Sequence, residues 1–328
     1  MNDSNIDKYD WPKIGNEKAV AFLTQVLDNN SPASTYVFSG AGNLGKSTIA
    51  MAFARNLQGN TAGLNSDLHI LERGPEEKSI SIESVREFIK MLSMGSFLGS
   101  YKIGIIKEAS YLSEEAKSAL LKTLEEPKGK TVIILLVEDV SDMPATIISR
   151  SQVIYFQPVS SEVVYDYLID NYGTSRSLAK DLANLCLGKP LEAISYLENP
   201  DKYKAYLEKA ENWVDICLEK HVSRRASLLD NLFKDKTWSK EAREKAESIL
   251  FLAEGISRDL MLLSLDQSSL MQHIAISDKI IELKESFISD KEAVLNALSW
   301  LKSISQARDY LKGNINPRLV LEQVLMNF

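Results

Sequence analysis

Gly40-Ala41-Gly42-Asn43-Leu44-Gly45-Lys46-Ser47 reads as a complete phosphate-binding loop, and its surroundings decide the fold. It follows an apolar, strand-like run, Tyr36-Val37-Phe38-Ser39, and opens a helix whose inner face is expected to be Ile49, Phe53 and Leu57. Strand, GxxxxGKS and helix in that order are the context in which the motif has a mechanism. The glycines let backbone N–H groups close around phosphate oxygens, and the helix N-terminus adds the positive end of its dipole. Lys46 would reach the β and γ phosphates, and the Ser47 hydroxyl would hold Mg²⁺. The expected nucleotide-binding residues are therefore Gly40, Ala41, Gly42, Asn43, Leu44, Gly45, Lys46, Ser47 and Thr48. The expected ligand is ATP or ADP with Mg²⁺. A chance glycine-rich turn is the plain alternative, and the flanking pattern argues against it.

Outward from the loop, residues up to about 158 alternate strand and helix signals. Apolar runs at Asp67–Leu71, Lys102–Ile106, Thr131–Val137 and Gln152–Phe156 read as strands. Their continuous apolarity suits a sheet covered on both faces. Val85, Ile89 and Leu92 follow a helical period between them. Another helix starts at Ser113, a good N-cap, with Glu114 and Glu115 in its first turn; it would bury Ala116, Leu120 and Leu124 and stop before Pro127. After Pro158 the strand signals cease. Ser161–Tyr172, Ser175–Leu187 and Pro190–Leu197 are short helical patterns, and longer amphipathic ones such as Lys240–Leu265 and Lys291–Leu311 follow. The spacing predicts an α/β domain at 1–158, a small helical domain at 159–203 and a larger all-α domain at 204–328.

Composition limits the function classes. The chain has 328 residues, 45% apolar and 25% charged, and a net charge of −7. Through residue 158 there are 16 basic and 19 acidic residues, against 22 and 26 beyond it, so neither half is a basic nucleic-acid-binding domain by bulk charge. Cys186 and Cys217 are isolated in apolar helical patterns and read as buried, reduced thiols. No CxxC pair exists, so no zinc ribbon is expected, and His69, His221 and His273 are too scattered for a catalytic metal cluster. The polar start, Met1-Asn2-Asp3-Ser4, does not read as a signal peptide, and no apolar run approaches the ~20 residues that span a bilayer. A cytoplasmic protein with no membrane partner is the expectation.

Four segments together resemble the AAA+ clamp-loader family, in particular its δ′-like members. The first is Ile14-Gly15-Asn16-Glu17, followed by Tyr36-Val37-Phe38-Ser39-Gly40 at the loop. The second is Ile105-Ile106-Lys107-Glu108-Ala109 with the run from Glu115 through Ala119-Leu120-Leu121-Lys122-Thr123-Leu124-Glu125-Glu126-Pro127. Thr146-Ile147-Ile148-Ser149-Arg150-Ser151 is similar to the family's TIxSRC segment, and Asn314-Ile315-Asn316-Pro317-Arg318-Leu319-Val320-Leu321-Glu322 to its NPRLxLE segment. The resemblance implies an α/β P-loop (AAA+) domain, then a small helical lid and an all-α collar used in oligomerisation. It implies a subunit of the replicative DNA polymerase III holoenzyme that helps load the sliding clamp on primed DNA. The partners it implies are ATPase subunits and a δ-like subunit in a hetero-pentamer, the sliding clamp indirectly, and primer–template DNA without sequence choice.

The departures from the family pattern bear on mechanism. Lys107 stands where the family has the Walker B aspartate that helps hold Mg²⁺, and a cation there competes with the metal. Glu108 remains where active members orient water. Val137 aligns with the polar sensor at the end of the third family strand, and Leu191 of Gly188-Lys189-Pro190-Leu191 with the lid arginine. The cysteine-rich zinc insert has no counterpart in Asn56–Ser66. Arg150 is retained, and in the family this arginine enters the neighbouring subunit's ATP site, where such a finger accelerates hydrolysis roughly 10³–10⁵-fold. Taken alone, Arg150 can also be an ordinary surface arginine or part of an ion pair within its domain. Glu125 and Glu126, pointing about 100° apart on a helix, do not converge on one atom and read as solvated surface. Trp213, Trp238 and Trp300 read as core of the helical region.

Three functions fit these features. The first is a δ′-like subunit that binds nucleotide without efficient hydrolysis and donates Arg150 in trans. The second is a γ/τ-like motor using its own loop and Glu108. The third is another AAA+ switch or scaffold, against which the Asn314–Glu322 segment argues.

Overall fold

The structure, a computed structural model, describes residues 8–59, 67–74, 77–94, 101–126, 129–233 and 239–327. Met1-Asn2-Asp3-Ser4, the 60–66 part of the Asn56–Ser66 segment, Pro127 and Trp238 lie outside the described residues. The chain divides into two compact units, Met1–Asp170 with Gly188–Glu192, and Asn171–Leu187 with Ala193–Phe328.

The first unit runs α1 (Glu17–Asp28), β1 (Thr35–Ser39), α2 (Lys46–Leu57), β2 (Leu68–Leu71), α3 (Ile82–Ser93), β3 (Lys102–Ile106), α4 (Glu114–Glu125), β4 (Thr131–Val137), the four-residue α5 (Ala145–Ile148), β5 (Gln152–Tyr155) and α6 (Ser161–Tyr172). The strands form one parallel sheet in the order β2-β3-β4-β1-β5, with Ser39 opposite both Val137 and Tyr155. The three inner strands β1, β3 and β4 are buried along their whole length, which explains their apolar runs, whereas the edge strands β2 and β5 are partly exposed. Tyr36, Phe38, Val132, Ile134 and Leu136 pack with Ile49 and Phe53 in one core, whereas Val37, Ile133, Leu135 and Val137 pack with Phe88, Leu120 and Leu124 in another. Ser113 caps α4 by accepting from the Ala116 N–H at 3.2 Å, an arrangement worth about 1 kcal/mol.

This strand order places the phosphate loop. The chain leaves β1 for β2 at the far edge and later crosses from β4 past β1 to β5. The carboxyl end of β1 is thus the switch point, where open α/β sheets leave a crevice for ligands.

The second unit holds α7 (Arg176–Leu185), most of α8 (Pro190–Glu198), α9 (Pro200–Leu218), α10 (Val222–Leu232), α11 (Lys240–Ser264), α12 (Ser277–Glu285), α13 (Asp290–Lys312) and α14 (Pro317–Leu325). No strand occurs among its described residues, and α9 runs unbroken past 203/204. Trp213 and Trp300 are buried in its core with Ile256, Leu260 and Leu321. The Asn314–Glu322 segment acts here as a clasp. Asn316 caps α14 through the Arg318 N–H at 2.9 Å, and Pro317 fills the first helical turn. Arg318, 18% exposed, ties Glu322 and Asp230, each at 2.7 Å, to the Phe233 carbonyl at 3.0 Å. Cys186 and Cys217 are buried, reduced thiols, and burial pushes the Cys217 thiol up. His273 is buried between Asp259 at 2.7 Å and Tyr206 at 2.8 Å, a structural relay inside the unit. Among the described residues no helix is long and apolar enough to cross a membrane.

Candidate nucleotide-binding site and its surroundings

Gly40 and Gly45 set the path of the loop. At Gly40, φ is 153° and a Cβ would lie 2.4 Å from the Phe156 carbonyl oxygen; at Gly45, φ is 88° and a Cβ would lie 2.3 Å from Ile14 Cδ1. Side chains are excluded at both by backbone conformation and space. Between them Asn43 takes the left-handed conformation that asparagine tolerates, at φ 62°, and Leu44 turns inward, 1% exposed. The loop is held at both ends. The Gly40 N–H donates to the Val137 carbonyl at 3.3 Å, and Asn16 Nδ2 donates to the Leu44 carbonyl at 3.3 Å while Asn16 Oδ1 accepts from the Gln157 N–H at 2.9 Å. The Ile14-Gly15-Asn16-Glu17 segment thus braces the loop against the exit of β5. The Leu191 N–H donates to the Asn43 carbonyl at 3.2 Å, so the position aligned with the lid arginine touches the loop through its backbone.

Helix α2 begins at Lys46 with Gly45 as its cap, which offers no side chain to the first-turn N–H groups. They and the helix dipole make an anion site. Lys46 Nζ donates to the Gly40 carbonyl and, at 2.7 Å, to the Ala41 carbonyl. Burial holds the Lys46 ammonium below the ordinary lysine range, with Glu138 pulling the other way. Glu138, directly after Val137, was not marked by any sequence motif. Ser47 and Thr48 open onto a groove of about 460 Å³ shared with Asp10, Pro12, Met51 and Arg55.

The end of β3 is built differently. Lys107 donates its backbone N–H to the Leu71 carbonyl at 2.8 Å, and its Nζ pairs with Glu72 at 2.8 Å. Glu108 takes φ 50° and meets Arg73 through two contacts of 3.4 Å, while the Arg73 guanidinium lies over the Tyr111 ring at 4.2 Å. Both residues after β3 are engaged by the two residues after β2. Val137 is buried and its side chain carries no polar atom. The loop thus offers donors suited to a phosphate group, whereas Lys107 and Glu108 at the end of β3 are paired with Glu72 and Arg73.

Arg150 follows α5, outside these contacts. Its Nη1 donates to the Thr146 carbonyl at 2.9 Å and to Ser149 Oγ at 3.3 Å, and Nη2 pairs with Glu125 at 2.9 Å. The intradomain ion pair that the sequence left open is present. Glu125, expected as solvated surface, is its partner, yet both side chains stay open to solvent at 40% and 49% exposure.

Residues 15–160 match the protein family described as DNA polymerase III, delta subunit. Over 330 aligned residues the chain is 24% identical to the DNA polymerase III subunit delta′ of Bacillus subtilis, covering 94% of each protein. It is 31% identical over 151 residues to the DNA polymerase III subunit tau/gamma of Haemophilus influenzae, covering 42% of this chain but 22% of that one. Among solved structures, a DNA polymerase III gamma subunit-related protein from Thermotoga maritima has a TM-score of 0.51 at 17% identity, covering 93% of this chain and 97% of the other. That likeness establishes a shared fold.

Proposed function

We propose, on the premise that this chain is a δ′-like member of the AAA+ clamp-loader family, that it is a non-motor subunit of a sliding-clamp loader. In this reading it binds ATP or ADP without efficient hydrolysis and lends Arg150 to a neighbouring ATPase subunit. The observation that carries the reading is the Lys107–Glu72 ion pair at 2.8 Å, which puts a neutralised cation where a hydrolysing site needs a metal-binding acid. The near end-to-end similarity to a delta′ subunit supports the same assignment.

The residues of this chain divide the work. The N–H groups from Gly42 to Thr48 and the Lys46 ammonium hold the phosphates, and the groove beside Ser47, Thr48 and Met51 gives the nucleoside room. Mg²⁺ bound with the nucleotide would supply charge neutralisation, with Ser47 its one protein ligand here. Glu108, held by Arg73, does not serve as a base. Arg150 stabilises phosphate charge developing in the neighbour's site. Residues 159–203 serve as lid and 204–328 as collar, joining ATPase subunits and a δ-like subunit in a hetero-pentamer. The clamp is met indirectly, DNA contact is to the backbone, and the working place is the cytoplasm.

Nucleotide titration of the purified chain, followed by a turnover assay, tests the cis half of this reading. Binding that Lys46→Ala abolishes, with no turnover above background, is expected; motor-level turnover that Lys46→Ala removes would overturn it. A γ/τ-like motor is the second reading, favoured by the loop geometry, and it requires that second outcome.

A further inference from the structure

We infer that Glu125 is a positioning residue for Arg150, fixing the guanidinium in the orientation from which it meets a neighbour's phosphate; this rests on the trans-acting role proposed above. Helix α5, which Arg150 follows, has only four residues, Ala145–Ile148, too few to stand as a rigid support alone. The guanidinium contacts to Thr146 and Ser149 belong to that same short turn and move with it. Glu125 is different. It ends α4, a twelve-residue helix capped by Ser113 and anchored in the core through Ala116, Leu120 and Leu124. Its 2.9 Å pair with Nη2 thus ties the guanidinium to a packed element.

The geometry of the fork leaves the arginine usable. A guanidinium has five N–H groups in a fixed plane. The contacts to Thr146, Ser149 and Glu125 engage Nη1 and one side of Nη2, so Nε and the remaining Nη2 hydrogen are the groups left for an incoming oxyanion. A carboxylate beside a catalytic cation has two opposed effects. It offsets part of the positive field, and it orders a long side chain that otherwise loses rotamer freedom when it acts. At 40% and 49% exposure, solvent screens the first effect strongly. Ordering is not screened, so it decides the sign, as preorganisation does for other charge-stabilising groups.

The test uses the loader reconstituted with its ATPase neighbours, clamp and primed DNA, and reads kcat and KM for ATP. Four forms of this subunit are compared with wild type: Glu125→Gln, Glu125→Asp, Arg150→Ala, and Glu125→Gln combined with Arg150→Ala. Glu125→Gln is expected to lower kcat about fivefold with KM unchanged, since orientation rather than binding is lost. Glu125→Asp recovers part of that loss, and the double variant is no slower than Arg150→Ala alone. A Glu125→Gln loader as fast as wild type overturns the inference, and a faster one makes the pair a restraining latch instead. A further loss on the Arg150→Ala background shows that Glu125 acts through something other than the arginine. If Arg150→Ala alone leaves turnover unchanged, the trans-acting role fails first, which separates the two failures.

Discussion

The loop after β1 and the corner after β2 and β3 lie on the same carboxyl edge of one sheet, yet they are built for opposite ends. The loop presents backbone N–H groups, a helix terminus and a half-buried ammonium, all suited to an anion. The corner pairs its charges with each other, Lys107 with Glu72 and Glu108 with Arg73. Holding a nucleotide and hydrolysing it are therefore separable at the level of single strand ends. In the proposed reading the first is kept through backbone geometry, while pairs between side chains 35 positions apart remove the second.

Several substitutions would break or sharpen that contrast. The largest effect is expected at the loop: Lys46→Ala should weaken nucleotide binding by the isolated chain about a hundredfold, some 2.7 kcal/mol, in a calorimetric titration. Binding that survives it would mean the loop is not the anion site. Gly45→Ala comes next, because a Cβ at φ 88° within 2.3 Å of Ile14 Cδ1 forces both strain and a shift of Ile14. A loss of roughly 1–3 kcal/mol in denaturant unfolding is expected, and nucleotide should restore little of it.

At the corner the expected effects are smaller. Lys107→Asp replaces an ion pair with two facing acids, Glu72 and the new aspartate. Since the pair is substantially exposed, about 0.5–1 kcal/mol of stability should be lost. Mg²⁺ with nucleotide should return it, seen as a rise in melting temperature that wild type does not share. The smallest effect is a pH dependence. Phosphate binding needs the Lys46 ammonium, and burial has lowered its pKa. Affinity should therefore be full at neutral pH and begin to fall, as pH rises, before an ordinary lysine would titrate. In Lys46→Ala the residual affinity should lack that slope.

What could be read from the chain follows the range of each interaction. The strands Lys102–Ile106 and Thr131–Val137 were legible because burial on both faces makes every residue after the first apolar or glycine. The α4 start was legible because Ser113 acts within three residues. The loop was legible for the same reason, its chemistry being local backbone chemistry. The partners were not. Glu72 and Arg73 meet Lys107 and Glu108 only because β2 and β3 pair in parallel with Leu71 opposite Ile106. Asn16 binds groups 28 and 141 residues away, and Arg318 reaches Asp230 and Phe233 from another helix. Glu125 looked like surface because its orientation around α4 says nothing about a short turn 25 residues later. The Asn314–Glu322 signature marked the right place, but its Arg318 clasp required the fold to be seen.

The central claim is that this subunit's chemistry is spent on its neighbour's nucleotide rather than its own. The most direct measurement is clamp- and DNA-stimulated ATP turnover of the reconstituted loader, with Arg150→Ala or Lys46→Ala introduced in this chain alone. A drop of roughly 10³ in the adjoining site's turnover with Arg150→Ala, and a nearly unchanged rate with Lys46→Ala, is the predicted result. Unchanged turnover with Arg150→Ala, together with loss of this subunit's own share with Lys46→Ala, would contradict it.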